Sequence, residues 1–316
     1  MIGALFGTMV LVLFAVLFMW LARSAWTNLA SPVRWGGVVI AGLLAVVFAA
    51  GAIMAGRGVY LFYFWHRAVP VPAVTVAGTP QQVARGEHLS AVICAGCHAK
   101  NQELPLSGGP NLADDIGLPA GDLYPPNLTP AGEISGWSDG EVMRAIRQAV
   151  HKNGRNLLMP SQNLRNLSDE DTQSIVAYLR KQPADQNKVP EFAPNAFGAM
   201  LIGSGLVSLD VPPISGPVTS PPKAATAEYG QYIVSYSDCR DCHGQRLDGK
   251  VSPPNPPGPP LVMVPLWTRE QFISTMRTGT DPTGYQIKPP MPWKPIGKLD
   301  DEELSALYLY VNSVVK

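Results

Sequence analysis

The chain has 316 residues and a mass of 33.9 kDa, room for two or three compact units, which excludes a single small domain. Lys plus Arg and Asp plus Glu both number 24, and a net charge of zero argues against a nucleic-acid binder. The balance is uneven along the chain: Arg23, Arg34, Arg57 and Arg67 stand without any acid in residues 1–67, and 30 of the 31 prolines follow Pro32. The remainder is therefore slightly acidic and rich in loops.

From Ile2 to Ala22 there is no charge, and none from Trp35 to Gly56. Each run is close to the ~20 residues a helix needs to cross a bilayer, and a buried core helix rarely lacks a polar face over such a length. A cleaved signal peptide fits less well, because no Lys or Arg precedes the first run and the run exceeds a signal core. Trp20, Trp26, Trp35 and the cluster Tyr60, Phe62, Tyr63, Phe64, Trp65 fall at the expected boundaries as interfacial anchors. Residues 1–67 thus read as a two-helix anchor that returns the chain to its starting side, with the Arg23–Arg34 loop on the other.

All four cysteines lie in Cys94-Ala-Gly-Cys97-His98 and Cys239-Arg-Asp-Cys242-His243, both the C-x-x-C-H pattern of covalent haem c attachment. Two thiols three positions apart reach the two vinyl groups of one porphyrin, and the next residue delivers its imidazole to the iron. A thioredoxin-like redox pair needs no following His and belongs in a βαβ pattern that this Pro-rich chain lacks. A four-thiolate zinc site would have to close the gap between Cys97 and Cys239. The expected cofactors are two covalently bound haem c groups. Haem c is attached outside the cytoplasm, so residues 68–316 are expected on the periplasmic side of a bacterial cytoplasmic membrane, with Arg23 and Arg34 inside.

The two motifs head similar units. Met159-Pro160 precedes Leu167-Ser-Asp-Glu-Asp171 by the same interval that separates Met291-Pro292 from Leu299-Asp-Asp-Glu-Glu303, and the register persists to Tyr178 and Tyr310. Ser168 and Asp300 are expected helix N-caps followed by acidic first turns. Upstream, Ala84-Arg-Gly-Glu-His88 and Glu228-Tyr-Gly-Gln-Tyr232 open helices leading into each C-x-x-C-H. The repeat reads as a domain duplication.

In this arrangement the chain resembles the class I cytochromes c over about residues 85–183 and 225–316. These are small all-helical domains with a C-x-x-C-H helix, a distal Met on a loop and a C-terminal helix packed on the first. The resemblance implies an all-α fold, His98 and His243 as proximal iron ligands, and Met159 and Met291 as distal ones. Met/His ligation raises the haem potential. Met263 competes with Met291, and His151 could give the first iron two imidazoles. Met143 and Met276 belong to amphipathic patterns and read as core, and His88 as a helix-surface residue. Tyr124-Pro-Pro-Asn-Leu-Thr-Pro130, Gly136-Trp-Ser-Asp139 and Ala177-Tyr-Leu179 are similar to the cytochrome c subunits of membrane-bound quinoprotein alcohol dehydrogenases. That likeness implies electron passage from a dehydrogenase toward the quinone pool or an oxidase. The chain departs from those subunits in having two haem motifs rather than three, and leading apolar helices in place of a signal peptide. Trp137 reads either as a neighbour of a haem propionate or as a buried aromatic without cofactor contact.

The expected organisation is a membrane anchor (1–67), a Pro-rich spacer (68–84), a first cytochrome c domain (85–185), a Pro-rich connector (186–224) and a second cytochrome c domain (225–316). The apolar segment Ala196–Val207 is too short to span and is expected to pack on a haem domain or a partner subunit. Pro253–Pro260 reads as a rigid loop over the second haem, or as a docking surface. The leading function is a non-catalytic, membrane-bound dihaem carrier passing single electrons in a respiratory or photosynthetic chain. Its expected partners are an integral membrane complex or dehydrogenase, with a soluble cytochrome, cupredoxin or terminal oxidase as further candidates. The alternative is a dihaem enzyme, peroxidase-like or thiosulfate-oxidising, with one open iron, and a haem sensor is a weaker third because the cytoplasmic loop cannot house an output.

Overall fold

A computed structural model describes residues 1–115, 117–251 and 257–315, without the side chains of Ser31, Pro32 and Asp115. Residues 253–256 of the Pro253–Pro260 segment lie outside the described residues. The chain divides into two compact units: residues 1–67, 111–123 and 191–210 form one, and residues 68–110, 124–190 and 211–316 the other.

The first unit is built on an antiparallel pair, α1 (Ile2–Asn28) and α2 (Ser31–Val59), the latter continued by a π-helical turn at Tyr60–Phe64. At 1.5 Å per residue each exceeds the ~30 Å of hydrocarbon it would cross. Of α1 only Ala4, Ala15 and Ala25 are buried, the small-residue seam expected where helices associate in lipid rather than water. Phe14 and Phe18 stack on Phe48 at 5.1 and 5.4 Å, and Trp26 meets Trp35 edge-on at 5.2 Å beside the bend. This unit also holds α5 (Leu112–Asp115), the short antiparallel strands β1 (Gly121–Asp122) and β2 (Ala193–Pro194), and α9 (Ala196–Ser204). Helix α9 is the apolar segment expected on a haem domain or a partner; the structure seats it on α1 and α2 instead. A Cβ at Gly58 would lie 1.8 Å from the Ala199 carbonyl oxygen, and one at Gly203 would lie 1.8 Å from that of Met54. The backbones meet only because glycine stands at both points.

In the second unit, residues 80–110 with 124–181, and residues 227–315, run through the same sequence of elements. Helices α3 (Pro80–Leu89) and α10 (Ala227–Tyr236) lead into α4 (Ala95–His98) and α11 (Cys239–His243). Next come α6 (Asp139–Gln148) and α12 (Arg269–Thr278), then the single turns α7 (Ser161–Leu164) and α13 (Trp293–Ile296). Each module closes with α8 (Asp169–Lys181) or α14 (Asp301–Val314), whose caps are Ser168 and Asp300 as the acidic first turns require. The first and last helices of each module cross at a glycine: a Cβ on Gly86 would stand 1.8 Å from Ser174 O, and one on Gly230 2.0 Å from Ala306 O. Both middle helices end in a left-handed residue, Ala149 or Gly279, followed by an isolated bridge, Val150–Asn156 or Thr280–Gln286.

The Pro-rich spacer is bound along the first module. Val76 N–H donates to Asp139 Oδ2 at 2.9 Å, Arg144 Nη1 donates to Val69 O at 3.0 Å, and Gly140 leaves room for the Pro72 carbonyl. The two modules share one hydrophobic core, running from Leu89, Leu167 and Ile175 to Tyr229, Tyr236 and Leu304. A buried polar cluster crosses their junction. Arg85 binds Asp171 in bidentate fashion (2.8 and 3.0 Å), Glu303 (2.7 Å) and the Tyr229 hydroxyl (3.0 Å). Tyr232 OH donates to Asp171 at 2.7 Å while His88 Nε2 meets Glu303 at 2.5 Å, so each module's opening helix reaches the other module's closing helix. His88, expected on the helix surface, is a junction residue because Glu303 is supplied from the other module.

Candidate haem attachment sites

In the first module the π-helical turn Ser90–Cys94 runs into α4, so Cys94, Cys97 and His98 lie on one helical segment; in the second, α11 carries Cys239, Cys242 and His243 together. The flanking loops are tied to these helices by backbone bonds, Gly108 N–H to His98 O at 2.8 Å and Gly258 N–H to Cys242 O at 2.7 Å. His98 Nδ1 lies 3.0 Å from the Pro126 carbonyl oxygen, and His243 Nδ1 lies 2.7 Å from that of Pro259. A carbonyl only accepts, so Nδ1 carries the proton and Nε2 of the neutral ring keeps its lone pair. Burial, against the opposing Pro126 hydrogen bond, lowers the pKa of His98 and favours that neutral form.

Exposed His66 has the same kind of contact, Nδ1 at 2.9 Å from the Phe64 carbonyl oxygen, but stands outside any C-x-x-C-H segment; His88 and His151 differ at these atoms. Both His151 nitrogens are engaged, Nδ1 with Asn153 (Oδ1 at 2.8 Å, N–H at 3.2 Å) and Nε2 with Glu133 Oε1 at 3.0 Å, so neither is left for a metal. His151 stacks edge-on against Trp137 at 4.6 Å instead. Met159 is half-buried against the core in the loop before α7, and Met291 is half-buried in the loop before α13. Met263, the competitor, is 51% exposed, whereas Met143 and Met276 are core residues.

The thiols of Cys94, Cys239 and Cys242 are not poised as redox nucleophiles. Burial pushes Cys94 up to about 12 and also raises Cys239 and Cys242, whereas a reactive pair needs a depressed thiol. Among the described residues the cluster suited to a metal ion is His88, Asp300 and Glu303, with no cysteine in it, and Lys223 and Arg85 already pair its carboxylates. The chain does hold buried donors without an acceptor: Trp137 Nε1 and Arg147 Nε and Nη2 in the first module, the Tyr236 hydroxyl and Arg240 Nε in the second. Each costs about 1–3 kcal/mol unless something accepts from it. A porphyrin with two propionates has that chemistry, so the residues fit the group that the C-x-x-C-H pattern implies. The junction cluster had no signal in the sequence, since its members come from four helices.

Residues 81–179 match the family model described as cytochrome c oxidase, cbb3-type, subunit III, and residues 227–314 match that of cytochrome c. A subunit of the nicotinate dehydrogenase of Pseudomonas putida is 32% identical over 180 residues, 51% of this chain and 14% of that protein. The fructose dehydrogenase cytochrome subunit of Gluconobacter japonicus is 32% identical over 101 residues, 28% of this chain and 21% of that protein. The chain thus spans under a quarter of either relative. Helices α1 and α2, each long and apolar enough to cross a membrane, thus precede one region similar to the cbb3-type subunit III model and one similar to the cytochrome c model that carries a C-x-x-C-H helix. Such a chain is consistent with a non-catalytic subunit of a larger oxidoreductase.

Proposed function

We propose that the chain is a dihaem electron carrier, with haem c attached at Cys94 and Cys97 and at Cys239 and Cys242. His98 with Met159 and His243 with Met291 would hold the two irons, in two class I cytochrome c domains held on the periplasmic side. The observation that carries this reading is the equivalence of His98 and His243, each on a C-x-x-C-H helix, tied through Nδ1 to a proline carbonyl and keeping the Nε2 lone pair. Bound haem c supplies a one-electron iron couple that needs no acid or base. The chain's own residues set its properties: the proline carbonyls fix each imidazole's tautomer and raise its basicity, and thioether ligands favour the reduced state. Trp137 and Arg147 offer donors to propionates in the first domain.

The donor is proposed to be a membrane-bound dehydrogenase and the acceptor an oxidase, another integral complex, a soluble cytochrome or a cupredoxin. Two relatives are components of dehydrogenases by name, and the quinoprotein-subunit likeness of residues 124–179 points the same way. The test is haem stoichiometry and ligation in the purified chain. Two haems per polypeptide, low-spin spectra and a sulfur-to-iron band in the oxidised form are expected. One haem per chain, or high-spin iron that binds carbon monoxide rapidly, would overturn the reading. Co-purification from native membranes then identifies the donor.

A further inference from the structure

No charge interrupts the chain between Glu191 and Asp210, and α9, in the middle of this stretch, is apolar on every side. Its inner face, Gly198, Ala199, Ile202 and Gly203, is buried within the first unit. Phe197 remains 37% exposed and Leu206, just past the helix, 50%, with Met200 and Leu201 half-covered. We propose that α9 is a third membrane-embedded element, seated in one leaflet against α1 and α2 with its outer face on lipid hydrocarbon.

Depth along the helix pair supports this. Trp26 and Trp35 pack together beside Arg34 at one end, the composition of a membrane boundary. From there ~20 residues of α2 cross the hydrocarbon, which puts the far boundary near Met54 and Ala55. Helix α9 meets α2 on both sides of that level: Met200 lies by Gly51, Gly203 by Met54 and Ala199 by Gly58, while Ala196 lies by Gly7 of α1. Its outer face therefore continues the lipid-facing surface of the pair, where Phe6, Met9, Leu13 and Ile53 are exposed.

The backbone supports it independently. In hydrocarbon no water can serve the free N–H and C=O groups at helix ends, so the protein must. Asn195 Oδ1 accepts from the N–H groups of Phe197 (2.9 Å) and Gly198 (3.1 Å), and its Nδ2 donates to Pro119 O. At the other end the Arg57 guanidinium donates to Gly203 O, Val207 N–H to Leu201 O and Gly205 N–H to Ile202 O. A nine-residue helix facing water has no need of an arginine from a neighbouring helix at its C-terminus.

The test uses the full haem-loaded chain in phosphatidylcholine–phosphatidylglycerol vesicles, with a nitroxide on a single introduced cysteine. Phe197→Cys, Met200→Cys and Leu206→Cys are compared with Leu13→Cys, exposed on α1, and Glu302→Cys, exposed on α14. Collisions with oxygen and with a water-soluble nickel chelate are read at each site. The expected result is an oxygen-over-nickel ratio at 197 and 206 several-fold above that at 302 and close to that at 13. A ratio equal to that at 302 places the face in water, and shielding from both reagents places it against protein; either result overturns the proposal. Met200→Cys serves where one of the other two variants fails to fold. Label taken up by the unsubstituted chain would count against haem attachment and leaves the comparison, taken as a difference, intact.

Discussion

The histidines of this chain are sorted by what their ring nitrogens already hold. His98 and His243 each spend Nδ1–H on a proline carbonyl and are set apart from exposed His66, which meets the Phe64 carbonyl, by their place on a C-x-x-C-H helix; His151 uses both nitrogens and His88 meets a carboxylate through Nε2. On the proposed ligation, Met291→His lowers one of two midpoint potentials and spares the other; spectroelectrochemical titration checks it, and an unchanged pair would remove Met291 from the iron. His151→Gln, by contrast, leaves both potentials and the visible spectrum unchanged. Glu303 gives a pH dependence. Burial raises its pKa, but the hydrogen bond and charge of His88, the Arg85 hydrogen bond and the Asp300 N–H more than offset this and hold it at about 2 against an ordinary 4.5. A carboxyl depressed in the folded state stabilises it above the unfolded value and loses that contribution as pH falls toward the folded one. The junction therefore loses roughly 3 kcal/mol between about pH 5 and pH 2. Thermal melts across that range in detergent show the loss, and Glu303→Gln flattens it.

At the scale of elements, helix crossings depend on glycine where two backbones come together. Gly86→Ala and Gly230→Ala each force a Cβ into a carbonyl of the closing helix, and overpacking of this kind costs about 1–3 kcal/mol or more. Each variant is expected to lower the melting temperature of the haem-loaded chain. Gly56→Ala, on α2 with open space around its Cβ position, does not. The caps at Ser168 and Asp300 were legible from sequence because a cap is a local contract between a side chain and an N–H three residues on. The seat of α9 was not, since its composition says only that it avoids water.

At the scale of the whole chain, the two modules of the second unit share a core and an ion-pair junction rather than hanging as beads on a Pro-rich string. Removing Arg85 leaves Asp171 and Glu303 buried without that cation, a loss of about 3–5 kcal/mol. Wild-type protein is expected to melt the pair in a single transition and Arg85→Ala in two, as followed by calorimetry; one unshifted transition in the variant would show that the apolar core alone joins them. The chain is also expected to resist extraction from membranes by alkaline carbonate, because α1 and α2 are apolar over a bilayer's thickness.

Sequence alone determined what depends on neighbours along the chain: the two apolar helices, the C-x-x-C-H segments, the caps, and the repeat that pairs Met159 with Met291. Tertiary structure decided what depends on distant residues meeting. It chose the proline carbonyl for each motif histidine, denied His151 a free nitrogen, brought Arg85, His88, Asp171 and Glu303 into one cluster, and laid α9 on the membrane helices. Hydrogen-bond partners far apart in sequence leave no periodicity or spacing to read, so only the folded backbone names them.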